Sequence, residues 1–307
     1  MLEDSEKMLK IAVQIRKAQS SYQDKLPKEA VPVGHFIDRT VITDAGRTRI
    51  LIYTPKQQTQ VRYPVFVSLH GGGFILGSAE DDDVWCRKIA NAVNCVVVNI
   101  DYPLAPECKF PIPLEESYAV VKWVHDHAEE LGIDSGRIAV GGHSAGGNLA
   151  AAICLLARDR REFPIIYQIL DYAVLDNSID AYNKHLHPEE TMLTPKLVNL
   201  FTACYIRSEE DTKNPFVSPL LEKNLQELPP ALIIAAEFDP LYEEDRLYAE
   251  RLADAGIEVV FRKFSGCCHA FTHFGPEEAA NAAWALIYSQ LRRAFKNALP
   301  KGGKENG

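Results

Sequence analysis

The stretch RIAVGGHSAGGNLAAAICLLARDR, residues 137–160, changes character at its middle. Its first part, RIAVG (137–141), has the small and β-branched residues of a strand covered on both faces. From Ala145 to Arg160 the chain has helical period. Between them lies Gly142-His143-Ser144-Ala145-Gly146, a G-x-S-x-G turn. A serine on so sharp a strand-to-helix turn needs small neighbours, because a side chain at 142 or 146 would meet strand or helix. The turn lifts the hydroxyl out of the sheet, and the helix N-terminus aims its free amides at the same place.

Outward from this unit the pattern repeats. Strand-like runs fall at 65–69, 95–100, 165–170, 231–236 and 257–261, and helix-like segments at 81–93, 113–131, 241–255 and 276–297. Strands alternating with helices of ten or more residues predict an α/β domain with a mostly parallel sheet. Two earlier runs, 35–43 and 47–53, flank Ala45-Gly46 and predict an antiparallel hairpin at one edge, for eight strands in all. Two segments break the rhythm. Residues 1–30 carry Leu9, Ala12, Ile15 and Arg16 at helical spacing, and residues 177–215 include an amphipathic run from Leu197 to Ile206. Segments added at the C-terminal ends of strands roof the ligand crevice of such sheets. Both are expected to form a helical cap over a catalytic domain of 31–176 and 216–300, with 301–307 a flexible tail.

The chain has 307 residues, 47% hydrophobic and 24% charged, with a formal net charge of −9. A chain of this size buries enough surface to fold without metal or disulfide staples. The acidic balance and the lack of a basic stripe argue against nucleic acid or an anionic membrane as partner. The N-terminus lacks the apolar run of a secretory signal, and the longest apolar run, Leu149–Ala157, is too short to span a bilayer. Seven cysteines without C-x-x-C spacing suit a reducing compartment. The expectation is a cytoplasmic protein without a cofactor.

The second chemical signal is His70-Gly71-Gly72-Gly73-Phe74, directly after the strand VFVSL. Consecutive glycines are entropically costly. They make sense where backbone amides must turn toward a developing negative charge, as in an oxyanion hole. The expected hole comprises Gly71, Gly72, Gly73 and Ala145, with Gly72, Gly73 and Ala145 donating and Gly71 shaping the turn. Phe74 is expected to border the substrate pocket. A phosphate-cradling loop would need a following Lys-Ser/Thr pair, and none follows. A nucleophilic serine needs a base, and the base an orienting acid, in the order Ser, Asp, His after successive strands. Asp239 follows ALIIAAEF and His269 follows the strand ending near Phe264. Glu237, Glu243 and Asp245 are rival acids, and His273, which could share a helical face with His269, is a rival base. His125, His127, His185 and His187 lack metal-ligand spacing and read as packing or solvated residues. His143 is expected to pack or hydrogen-bond behind the nucleophile, and Cys267 and Cys268 to fill space beside the base.

With these residues in place, the chain resembles the hormone-sensitive-lipase family of α/β-hydrolases over about 60–295. HGGGF at 70–74, DYPLAPECKFPIPLEE at 101–116, GHSAGGNLA at 142–150, NPFVSPL at 214–220 and DPLYEED at 239–245 appear in the family's order. The resemblance implies the α/β-hydrolase fold with a helical cap, a Ser144–His269–Asp239 triad, hydrolysis of short- to medium-chain acyl esters, and pairing of two copies through the last strand. Three positions depart from the pattern: His143 stands where the family has Asp, Pro103 where Arg is common, and Ala270 where Gly is usual. A deacetylase, lactonase or amidase would use the same groups. A non-catalytic receptor on this fold is a different class of answer, and the intact His269 argues against it.

Overall fold

The computed structural model describes residues 8–17, 31–57, 59, 61–190 and 192–298. Eight strands form one sheet in the order β1-β2-β4-β3-β5-β6-β7-β8. β1 (Phe36–Ile42) and β2 (Arg47–Tyr53) make the expected antiparallel hairpin, and β2 joins β4 (Val96–Asp101) antiparallel. β3 (Tyr63–Leu69), β4, β5 (Ile133–His143), β6 (Tyr167–Asp171), β7 (Ala231–Ala236) and β8 (Val259–Phe264) run parallel. This is the α/β-hydrolase fold that the motifs implied. The tail 301–307, and residues 1–7 and 18–30 of the first expected cap segment, lie outside the described residues.

The sheet is double-wound because both faces of its strands are apolar. Val65, Val67 and Leu69 enter one core with helices α3 (Ile112–Asp126), α4 (Ala145–Arg160) and α6 (Tyr242–Asp254). Phe66, Val97 and Ile169 enter the other with α2 (Asp83–Val93) and α8 (Glu277–Asn297). Every residue from Ala145 to Ala157 is buried. Glycine and alanine through its first two turns let α4 lie close on the sheet. α3 ends five residues short of the expected 131, because both the ring and the amide of His127 close on the Trp123 carbonyl.

The strand order reverses at β3, with β4 on one side of it and β5 on the other. Crevices at such switch points, beyond the carboxyl ends of the strands, are where open α/β sheets bind ligands. The glycine loop leaves β3 and the Ser144 turn leaves β5, so both open into that crevice.

Residues 177–215 hold one longer helix, α5 (Pro195–Tyr205), whose first turn is capped by the Thr194 hydroxyl accepting from the Leu197 amide. Val174, Ala181, Leu193, Val198 and Leu241 form a small apolar cluster of their own. The two ends of the segment are tied together: Asn148 donates to the carbonyls of Val174 and Val217, and Asn177 donates to Val217. A helix over 8–17, α1, rests against α5 through Met8 and Cys204, and its Arg16 donates to the carbonyls of Ile75 and Ala105. Among the described residues no helix is long and apolar enough to cross a membrane.

Candidate active site

Ser144 sits at φ 54°, ψ −119°, a strained conformation for a residue with a side chain. The surroundings enforce it. Its amide donates to the Asp171 carbonyl, and its own carbonyl accepts from Val174 and Asn148. A Cβ on Gly146 would stand 2.0 Å from the Leu69 carbonyl oxygen, and one on Gly142 2.4 Å from the same atom. The glycines are therefore required by the β3 backbone, which the turn touches directly.

The Ser144 Oγ lies 3.0 Å from His269 Nε2, and His269 Nδ1 lies 2.6 Å from Asp239 Oδ2. Asp239 is 1% exposed, and its other oxygen accepts from the Leu241 amide. That leaves it one orientation. Burial disfavours the charged ring of His269, but the charge and hydrogen bond of Asp239 outweigh it and hold the ring above its usual 6.5. The rivals face elsewhere. Glu237 pairs with Lys263, Glu243 with Arg246, and Asp245 accepts from the Ala173 amide. His269 and His273 do not share a helical face, because Ala270 at φ 63° starts a separate short helix, α7 (Phe271–Phe274).

In the glycine loop, Gly72 and Gly73 take positive φ. Among the described residues the amides of Gly72, Gly73 and Ala145 have no acceptor within the protein. The Gly71 amide instead lies 3.1 Å from His143 Nε2, at the base of the turn. Phe74 does not border the crevice. Its ring is 1% exposed and stacks on Tyr205 at 3.8 Å, since the positive φ that ends the loop turns it into the core. Phe201 of α5 takes that place, lying where a Cβ on Gly73 would meet it at 2.3 Å.

Two side chains at the site carry no motif. The Glu190 carboxylate accepts from the His269 amide at 2.6 Å, so the 177–215 segment grips His269 by its backbone. Asp171, at the end of β6, accepts from Thr272, and burial pushes it up to about 7. Of the remaining histidines, His187 stacks on Phe238 and His127 on Trp123, both in packing roles. Cys267 is buried, and the Cys268 thiol donates to the Glu189 carbonyl.

His143 and His273 converge on Asp82, with donor atoms within 4.8 Å of one another, a geometry that could hold a metal ion. None of the three leaves a buried polar atom unpaired. They read as a closed hydrogen-bonded group. A cavity of about 580 Å³ opens beside His273, between Trp85 and Trp284, and its lining includes none of Ser144, Asp239 and His269.

Known proteins share this fold. A family profile described as alpha/beta hydrolase fold matches residues 66–273. An arylesterase of Saccharolobus solfataricus is 35% identical, covering 88% of this chain and 87% of its own. The carboxylesterase NlhH of Mycobacterium tuberculosis is 35% identical, over 89% and 87%. The crystal structure of EstE1, a thermostable carboxylesterase from a metagenomic library, superposes with a TM-score of 0.83 at 34% identity, covering 94% of this chain and 97% of EstE1. A family match over residues 66–273 and relatives that align nearly end to end leave one conclusion: the chain belongs to the α/β-hydrolase family, in its hormone-sensitive-lipase branch.

Proposed function

We propose that this protein is a serine carboxylesterase acting on short- to medium-chain acyl esters, with Ser144 as nucleophile, His269 as base and Asp239 as orienting acid. The observation that carries the reading is the continuous chain Ser144 Oγ–His269 Nε2, 3.0 Å, and His269 Nδ1–Asp239 Oδ2, 2.6 Å. Ser144 Oγ attacks the ester carbonyl as its proton passes to His269 Nε2. The amides of Gly72, Gly73 and Ala145 hold the resulting oxyanion. His269 returns the proton to the leaving alkoxide, the C–O bond breaks, and the alcohol departs. A water deprotonated by His269 then attacks the acyl-enzyme, and collapse releases the acid and restores the serine. Asp239 fixes the imidazole tautomer and stabilises its charged form.

The names of the relatives support ester hydrolysis. A cap formed by α1 and residues 177–215 supports a shallow acyl site, because Phe201 stands against Gly73 and is backed by the apolar cluster that holds Leu193 and Val198. A cytoplasmic setting fits seven free cysteines. Pairing through the open edge of β8 belongs to the same reading, and sedimentation checks it.

The test is hydrolysis of p-nitrophenyl esters from acetate to dodecanoate by wild type and Ser144→Ala. Turnover should peak at the short end and fall at least roughly 10⁴-fold in the variant. Loss of activity on every ester, together with no labelling of Ser144 by a fluorophosphonate, would overturn the reading in favour of a ligand receptor.

A further inference from the structure

His143 and His273 flank the reacting groups without touching them. His143 precedes Ser144 in the chain, and His273 follows His269 by four residues. Both meet one carboxylate. Asp82 ends a 3-10 turn (Ala79–Asp82) ahead of α2 and is 3% exposed. Its two oxygens lie 3.1 Å from His143 Nε2, and Oδ1 lies 3.2 Å from His273 Nε2. The other nitrogen of His273, Nδ1, accepts from the Tyr172 hydroxyl at 2.8 Å, and the Tyr172 ring stands edge-on to His269 at 4.9 Å. A residue just ahead of α2 is thus bonded to both segments that carry the nucleophile and the base.

The glycine loop competes for the same atom. The Gly71 amide also lies 3.1 Å from His143 Nε2. One ring nitrogen cannot serve both: protonated it donates to Asp82, and unprotonated it accepts from Gly71. Burial opposes charge on His143, yet Asp82 outweighs burial and raises the ring above its usual 6.5, while burial and the His143 charge press His273 down to about 4. Both directions favour a proton on His143 Nε2 and an uncharged His273 donating through Nε2. A buried carboxylate with two such donors is fully paired, and removing its charge weakens its hold on both rings.

We propose that Asp82 is a positioning residue of the hydrolytic site: by binding His143 and His273 together it fixes the Ser144 turn and the His269 segment at reacting distance. The proposal rests on the esterase reading above. His143, which departs from the Asp of the resembled family, then has a reason to be a base: its partner here is an acid.

The experiment is steady-state kinetics of Asp82→Asn on the best p-nitrophenyl ester, beside thermal unfolding. We expect kcat to fall roughly 100-fold through misplaced groups, with KM within about twofold and the variant still folded. A folded Asp82→Asn with kcat within about twofold of wild type overturns the proposal. The reciprocal exchange, Asp82→His with His143→Asp, covers the case in which Asp82→Asn does not fold. Recovery of at least about tenfold over Asp82→His alone supports pairing, and a folded exchange variant without recovery overturns it. If wild type hydrolyses no ester, the esterase reading fails by itself. Nitrogen-15 histidine NMR then reads the bond directly: a proton on His143 Nε2 in wild type that is lost in Asp82→Asn upholds it, and an unchanged His143 ring refutes it.

Discussion

The turn at Ser144 and the 177–215 segment meet at the same pair of groups but are held there by opposite means. The turn is fixed by backbone and by absence of bulk: Gly142 and Gly146 lie against the Leu69 carbonyl, and the amide and carbonyl of Ser144 are both bonded to neighbouring backbone. The segment above it is fixed by a few polar side chains. Lys184 pairs with Glu244 of α6 at 2.6 Å, both ends nearly buried, and Glu190 grips the His269 amide. One region is specified by what cannot fit, the other by a few polar side chains added to its asparagine ties and its small apolar cluster.

That contrast can be broken most severely at the turn. Gly146→Ala forces a Cβ onto the Leu69 and His70 carbonyls, which cannot retreat without moving β3. We expect a loss above about 3 kcal/mol, seen as a collapse of the urea midpoint, with no activity left to measure. In the cap, Lys184→Ala strands Glu244 in a buried site and should cost about 3 kcal/mol at pH 8. Burial pushes Glu244 up to about 7 despite its partner, so at pH 5 the unpaired acid is protonated and the cost should shrink. A pH-independent loss would show that contacts of Lys184 that do not need the Glu244 charge, such as its bond to the Asp176 carbonyl, set the effect.

The smallest effect compares the two regions' pull on the base. Asp239 raises His269 above 6.5, Glu190 of the cap adds to that, and the charge of His143 beside the turn opposes it. A base acts unprotonated, so kcat/KM should be lost as pH falls through a midpoint above 6.5. Glu190→Gln should move that limb to lower pH. A limb that stayed in place would mean that the cap steadies the ring's backbone without tuning its charge.

The same division explains what the sequence discloses. Helix 145–160 and strand 231–236 appear with the bounds their patterns predict, because continuous apolar runs leave little choice of face. Ser144, Asp239 and His269 come together as the spacing implied, since each follows a strand of one sheet. Asp82 and Glu190 were illegible. Each lies in an acidic run, EDDD at 80–83 and EE at 189–190, and nothing local marks which carboxylate turns inward. Phe74 failed for a related reason: adjacency to the loop could not foresee a positive φ that swings its ring onto Tyr205.

The ties at Asn148 and Asn177 draw the two ends of the 177–215 segment to a common neck beside the first turn of α4. A chain pinched off in this way behaves as a cassette. Its entry and exit are tied at α4, so changes of length or sequence beyond the neck add little closure entropy and leave the serine turn undisturbed. Exchange of the cassette can therefore alter what stands against Gly73, so long as a carboxylate at 190 keeps its bond to the His269 amide.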